Sequence, residues 1–213
     1  MNDYYRTRYG FDEGRSRIWR AIAGLLQKYI DPVHDSVLEL GSGYCDFINN
    51  IRALKKYAVD LNPSSGDYAS EDVVFHQSTA IDLGMFPDGS IDVVFASNLF
   101  EHLSDGELDD AFAEIGRVTK GRAKLIIMQP NYRYCYREYF DDYTHKKAFS
   151  HVSLADFLRS NGFEPLKVYP KFLPLTLKSR LPKSYLLTRL YLLSPVKPLA
   201  KQMLIISEKR KRT

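Results

Sequence analysis

An apolar run, Ser36–Leu40, breaks at Gly41-Ser42-Gly43, and a helical pattern begins near Asp46. A strand that passes through glycines into a helix turns backbone N–H groups and a helix N-terminus toward a ligand. Glycine is required where a side chain would block that approach. Glu39 stands two residues before the first glycine, and a second acid, Asp60, lies 19 residues after it, at the end of another apolar segment, Lys56–Val59. An acid in that place suits the diol of a ribose. A nicotinamide-binding turn usually carries a third glycine two residues after the second, and here Cys45 takes that place. A tight turn that holds no ligand is the plain alternative. Further along, Tyr132–His145 is an aromatic stretch with Asp141 and Asp142 just before its terminal histidine. Histidine titrates near working pH, so His145 is a candidate general base with Asp141 or Asp142 holding its ring. Polar rings beside acids suit a sugar or another polyol.

The elements that must position these residues follow from periodicity. Ile18, Trp19, Ile22, Leu25, Leu26 and Tyr29 recur at helical spacing and stop at Asp31-Pro32. Asp46–Leu54 is expected to be the helix after the glycine turn, with Phe47, Ile48 and Ile51 facing inward. Strands are expected at Ser36–Leu40, Lys56–Asp60, Asp72–His76, from Ile91, at Ala123–Met128, Glu164–Tyr169 and Gln202–Ser207. Leu108, Ala111, Phe112 and Ile115 give Asp105–Val118 one apolar face. Gly121 suits a turn after that helix, and Ser153 suits the cap of a short helix, Leu154–Ser160.

The pattern Glu39-x-Gly41-x-Gly43 with the later Asp60 resembles motif I of class I S-adenosylmethionine-dependent methyltransferases. Phe86-Pro87-Asp88-Gly89-Ser90-Ile91-Asp92-Val93-Val94 and Ser97-Asn98-Leu99-Phe100-Glu101-His102-Leu103 resemble two further stretches of methyltransferases related to the quinone enzymes (methyltransferase type 11). The run from Asp142-x-Thr144-His145 to Gly162-Phe163 resembles methyltransferases of bacterial polysaccharide clusters. The resemblance spans roughly 35–207. It implies a Rossmann-like α/β fold: a seven-stranded, mostly parallel sheet with helices on both faces and an antiparallel last strand. It implies S-adenosylmethionine as cofactor, held by Glu39, Gly41, Ser42, Gly43, Asp60, Leu61, Thr79, Ala80, Ser97 and Asn98. The usual acid for the adenine amino group is missing after strand three, so Thr79, Ala80 or Asp82 must serve. The leading helix would cover the cofactor mouth, with Tyr9, Arg15 and Arg17 against the sulfonium and carboxylate. Asn98 and Glu101 would border the methyl group. His102 is either a second catalytic histidine or a structural one, and Asp142 is the third catalytic candidate. The reaction implied is methyl transfer, with O-methylation of a sugar in a polysaccharide or lipid-linked precursor favoured. A quinone-type or natural-product acceptor, a non-catalytic binding protein and a nicotinamide-binding protein are the rivals.

At 213 residues the chain suits one domain with appendages. We divide it into a lid region, 1–34; a core, 35–169; an arm, 170–201; and a last strand with a basic tail, 202–213. A net charge of +4 does not call for a nucleic-acid partner. Cys45 and Cys135 form neither a disulfide framework nor a metal spacing, so reduced thiols and no metal are expected. The N-terminus has no apolar signal region, and no apolar run reaches the length of a membrane span. A cytoplasmic protein is therefore expected. Residues 170–201 carry seven Lys/Arg and no acid around a leucine-rich segment, Ser184–Ser194. Such an arm suits peripheral contact with the inner face of a membrane; packing on the sheet or in a homodimer is the alternative. The tail Lys209–Arg212 is expected to be disordered.

Overall fold

The alternation of side chains along the central strands decides the layers, because successive residues of a strand point to opposite faces. The computed structural model describes residues 13–174 and 183–211. Its strands are β1 (Ser36–Leu40), β2 (Lys55–Asp60), β3 (Val73–Gln77), β4 (Ile91–Ser97), β5 (Thr119–Pro130), β6 (Phe163–Pro174) and β7 (Ala200–Lys209). They form one sheet in the order β3-β2-β1-β4-β5-β7-β6. The first five are parallel, and β7 runs antiparallel to both β5 and β6. Leu38, Leu40, Val94, Ala96, Leu125, Ile127, Met203 and Ile205 point to one side. There they meet α2 (Asp105–Val118) and, beyond the one-turn α3 (Tyr132–Cys135) in sequence, α4 (His151–Ser160). Val37, Val93, Phe95, Ile126, Leu204 and Ile206 point to the other. They bury α1 (Glu13–Leu26), whose Trp19 meets Phe95 edge-on at 6.2 Å. Trp19 is thus core. Helices cover both faces, as a mostly parallel sheet requires, and the order reverses beside β1 and β4, where such folds bind ligands at the strands' carboxyl ends.

Several expected boundaries are corrected. No α-helix follows the glycine turn: 46–54 holds one 3-10 turn, Ile48–Asn50. The backbone there is satisfied by side chains instead. Ile48 N–H donates to Glu39 Oε2 at 3.0 Å, Asn50 Nδ2 donates to the Asp46 carbonyl at 2.8 Å, and Gln27 spans both backbone groups of Arg52. Such bonds compete with helix formation. Phe47, Ile48 and Ile51 are nonetheless buried.

Gly121 lies inside β5, not in a turn after α2, at a register jump where Arg122 takes φ 68°. Ser150 caps α4, with Ser153 answering it from the third helical position, so the helix starts three residues early. β6 runs on from Tyr169 to Pro174, into the expected arm. Lys209 belongs to β7 and donates to the carbonyls of Gly116 and Thr119, while Arg210 pairs with Glu164. The expected disorder of the tail is therefore wrong for these two residues. Both cysteines are buried free thiols.

Candidate active site

The glycine turn forms at the carboxyl end of β1. Gly41 and Gly43 take φ 65° and 51°, a left-handed conformation that side chains disfavour. A Cβ on Gly41 would meet Leu99 Cδ1 at 3.2 Å. Gly41 N–H donates to the Val59 carbonyl at 2.8 Å, which joins the turn to β2. Asp60 completes the join: its Oδ2 accepts from Gly43 N–H at 2.8 Å and its Oδ1 from Asn62 N–H at 2.8 Å. Ser42 is buried and its hydroxyl has no hydrogen-bond partner, a polar group that a ligand at this turn would satisfy. Glu39 is buried, and burial holds its carboxyl well above the usual range. Its visible contact is the Ile48 N–H, so it shapes the segment after the turn.

Around this turn lie the other expected cofactor residues. Leu61, beside Asp60, is exposed and offers an apolar surface at the tip of β2. Ala80 is buried against the core, while Thr79 Oγ1 accepts from Ile81 N–H at 3.3 Å. Asp82 is exposed, with Oδ1 near Gly84 N–H at 3.3 Å. At the tip of β4, Asn98 takes φ 50°, and its Nδ2 donates to Ser97 Oγ at 3.3 Å. Strain of this kind at a strand's carboxyl end is typical of binding sites.

Arg15 comes from α1 to the same turn. Its Nε donates to Asp46 Oδ2 at 2.6 Å, and its guanidinium lies 5.4 Å from the Tyr44 ring centre. Tyr44 in turn meets Tyr68 edge-on at 4.7 Å. Burial lifts the Asp46 carboxyl above its ordinary value, and Arg15 opposes that lift. Asp46, Tyr44 and Tyr68 were not singled out in the sequence. Arg17 is exposed, and Tyr9 lies outside the described residues.

The second group is built from two distant segments. Glu101 and His102 lie on a 3-10 turn after β4, and His145 ends the aromatic stretch after β5. Lys146 and Lys147 N–H groups donate to the Glu101 carbonyl at 2.8 and 3.0 Å, which clamps the segments together. The His102 and His145 rings then lie 4.9 Å apart.

His145 Nδ1 donates to the Tyr139 carbonyl at 2.6 Å, so a carbonyl holds its ring where an aspartate was expected. Asp142 serves the other histidine. Thr144 Oγ1 donates to Asp142 Oδ1 at 2.7 Å and accepts from His102 Nδ1 at 2.9 Å. Thr144 belongs to the Asp142-x-Thr144-His145 run, which by itself assigns it no role. Burial and the neighbouring His145 lower the pKa of His102. Glu101 is fully buried, and burial pushes its carboxyl up to about 8.

Tyr136, Phe140 and Tyr143 are exposed on the aromatic stretch. An open cavity of about 540 Å³ is lined by Tyr132, Arg133, Tyr136, Ser150 and Val152. Another, of about 290 Å³, lies at the opposite end of the strands beside Ser36, Lys55 and Ile91, away from the glycine turn.

Residues 38–127, which contain the glycine turn, Asp60 and the Glu101-His102 pair, match the family model described as methyltransferase domain, Methyltransf_11. The chain carries a class I S-adenosylmethionine-dependent methyltransferase domain. Its cofactor is S-adenosylmethionine. Solved methyltransferases share its fold. One from Archaeoglobus fulgidus is 22% identical, with a TM-score of 0.64 over 90% of this chain and 94% of that one. The Haloferax volcanii methyltransferase complexed with the Trm112 activator is 15% identical, with a TM-score of 0.67 over 93% and 92%. One from Thermotoga maritima is 20% identical, with a TM-score of 0.65 over 98% and 96%. At these identities the likeness speaks to the fold alone. No curated protein matches the methyltransferase.

Proposed function

We propose that this methyltransferase O-methylates a sugar hydroxyl of a polysaccharide or lipid-linked precursor. The observation that carries the reading is the histidine pair, His102 and His145, set beside an aromatic stretch whose Tyr136, Phe140 and Tyr143 are exposed. Exposed rings with neighbouring acids suit a polyol, and a hydroxyl acceptor gains from a base.

S-adenosylmethionine supplies an electrophilic methyl group, so much of the protein's task is positioning and exclusion of water. Gly41, Ser42, Gly43 and Asp60 would hold its ribose and methionine parts. Leu61, Thr79 and Ala80 would border the adenine, and Ser97, Asn98 and Arg15 the methionine end. Glu39 would act through the turn. His145, its Nδ1 proton given to the Tyr139 carbonyl, keeps a lone pair on Nε2 for the acceptor proton. Asp142 and Thr144 orient His102 as its neighbour.

A lipid-linked acceptor would sit at a membrane, and α5 (Tyr185–Leu193) supports peripheral contact with the inner face of the cytoplasmic membrane. Among the described residues no helix is long and apolar enough to cross one. Only Leu192 of α5 is buried; Leu186, Leu187, Leu190 and Leu193 are exposed. Fewer cations accompany them than the sequence suggested. Lys197 turns back to the Tyr191 and Leu192 carbonyls, and Lys201 pairs with Glu138. Lys178 and Arg180 lie outside the described residues. A homodimer over the same leucines is the competing occupant.

Methyl-transfer assays over nucleotide sugars, lipid-linked oligosaccharides and a quinol test the acceptor. Turnover on a glycan supports the proposal. Turnover on the quinol alone overturns it in favour of a small-molecule enzyme.

A further inference from the structure

Glu101 is fully buried, and neither of its carboxylate oxygens has a hydrogen-bond partner. An uncompensated carboxylate in the interior is costly, and proteins pair such groups or give them a metal. Two imidazoles stand beside it. Ligand-type atoms of Glu101, His102 and His145 all lie within 4.8 Å of one another.

Both rings are oriented from behind in the manner of metal ligands, whose second nitrogen normally donates to a carbonyl or carboxylate. His145 Nδ1 is 2.6 Å from the Tyr139 carbonyl oxygen, which can only accept, so Nδ1 carries the proton and Nε2 the lone pair. His102 Nδ1 lies 2.9 Å from Thr144 Oγ1, whose own proton goes to Asp142 Oδ1. The lone pair of His102 therefore also falls on Nε2. A carbonyl behind one ring and a hydroxyl–carboxylate pair behind the other fix both tautomers.

We propose that Glu101, His102 and His145 bind one divalent transition cation. Two imidazoles and one carboxylate are a donor set for first-row divalent metals that leaves coordination positions open. The chain supplies what such a site needs: an acid with no protein partner, and two rings locked by groups that do not themselves coordinate. The clamp from Lys146 and Lys147 N–H to the Glu101 carbonyl holds the two segments in register.

The inference rests on the hydroxyl-methylating reading and changes one part of it. The cation polarises the acceptor hydroxyl, whose proton leaves to water. His145 Nε2 is then a ligand rather than the proton acceptor. The positions left open on the cation also favour acceptors with two neighbouring hydroxyls, which sugars provide.

The experiment uses the full chain, stripped with a chelator and titrated with Mn²⁺, Co²⁺ and Zn²⁺ by calorimetry, with visible absorption followed for Co²⁺. The expected result is one equivalent bound, with a Co²⁺ spectrum that reports nitrogen ligation. Glu101→Gln and His145→Ala should each weaken binding about 10-fold or more. S-adenosylhomocysteine affinity, measured on the same samples, should hold and shows that each variant is folded. His102→Ala is the second route if Glu101→Gln does not fold. Absence of binding by the wild-type protein, or equal binding by the folded variants, overturns the metal site. Glycan turnover that survives the chelator in a protein that binds no cation sinks this inference alone. Cation binding without turnover on any hydroxyl acceptor sinks the acceptor reading and leaves the site standing.

Discussion

Asp60 and Gly43 are joined across the mouth of the sheet: the carboxylate at the end of β2 accepts the glycine N–H of the turn after β1 at 2.8 Å. One acid therefore shapes the glycine turn, and under the proposed reading the same carboxylate would bind the ribose. Asp60→Ala should weaken S-adenosylhomocysteine binding by about 1.5–3 kcal/mol for each charged hydrogen bond lost, roughly 10-fold or more. Calorimetry on both proteins measures it, and unchanged affinity would remove Asp60 from the cofactor site.

His145→Ala should lower turnover about 100-fold or more, whether its Nε2 takes a proton or a cation. Cofactor affinity should hold. Full activity in that variant with loss in His102→Ala would transfer the role to His102.

Thr144→Val removes the hydroxyl between Asp142 and His102. The ring keeps only the 3.3 Å contact of its Nδ1 with the Thr144 carbonyl, and kcat should fall about 10-fold, the scale of lost orienting partners. The pH profile of kcat should move with it, because Asp142 no longer reaches the imidazole through the hydroxyl. A shift in thermal stability with an unmoved profile would make Thr144 a packing residue only.

Glu107 ties α2 to the site's second segment. It caps the helix through Ser104, and its Oε2 meets Lys146 Nζ at 2.9 Å. These partners lower its pKa from 4.5 to about 2. A depressed carboxylate contributes stability that is fully present above 4.5 and is lost as pH falls through about 2. The group is partly exposed, so solvent screens the ion pair and the cap is its main part, about 1 kcal/mol. Thermal melts from pH 5 to 2 should decline less steeply in Glu107→Gln; parallel curves would contradict the assignment.

Wild-type protein should sediment with anionic vesicles at low salt and release at moderate salt, since α5 presents four exposed leucines. Leu186→Ser with Leu190→Ser should abolish binding. Indifference to vesicles together with a dimer by light scattering would assign the leucines to a second copy of the chain.

Much of the cofactor side was legible in order. β1 is the expected Ser36–Leu40, and α2 the expected Asp105–Val118. Both have local causes, a continuous apolar run bounded by glycines and an apolar stripe behind a Ser104 cap. The helix expected after the glycine turn was not legible, because Phe47, Ile48 and Ile51 have helical spacing in either conformation. What decides between them is where Ile48 N–H and the Arg52 backbone find partners, and those partners are Glu39, across the glycine turn, and Gln27, on another element.

The sequence by itself therefore determined the core strands and the glycine turn with its later acid, since burial and turn geometry are written in neighbouring residues, while the seven-stranded sheet was what the family resemblance implied. Only the tertiary structure decided that Glu101, His102 and His145 converge, that Tyr139 rather than an aspartate holds His145, and that the leucines of α5 stay outside the core. The convergence depends on backbone groups that meet across segments more than forty residues apart, and the Tyr139 contact, six residues from His145, on how the turn between them folds; no local spacing encodes either.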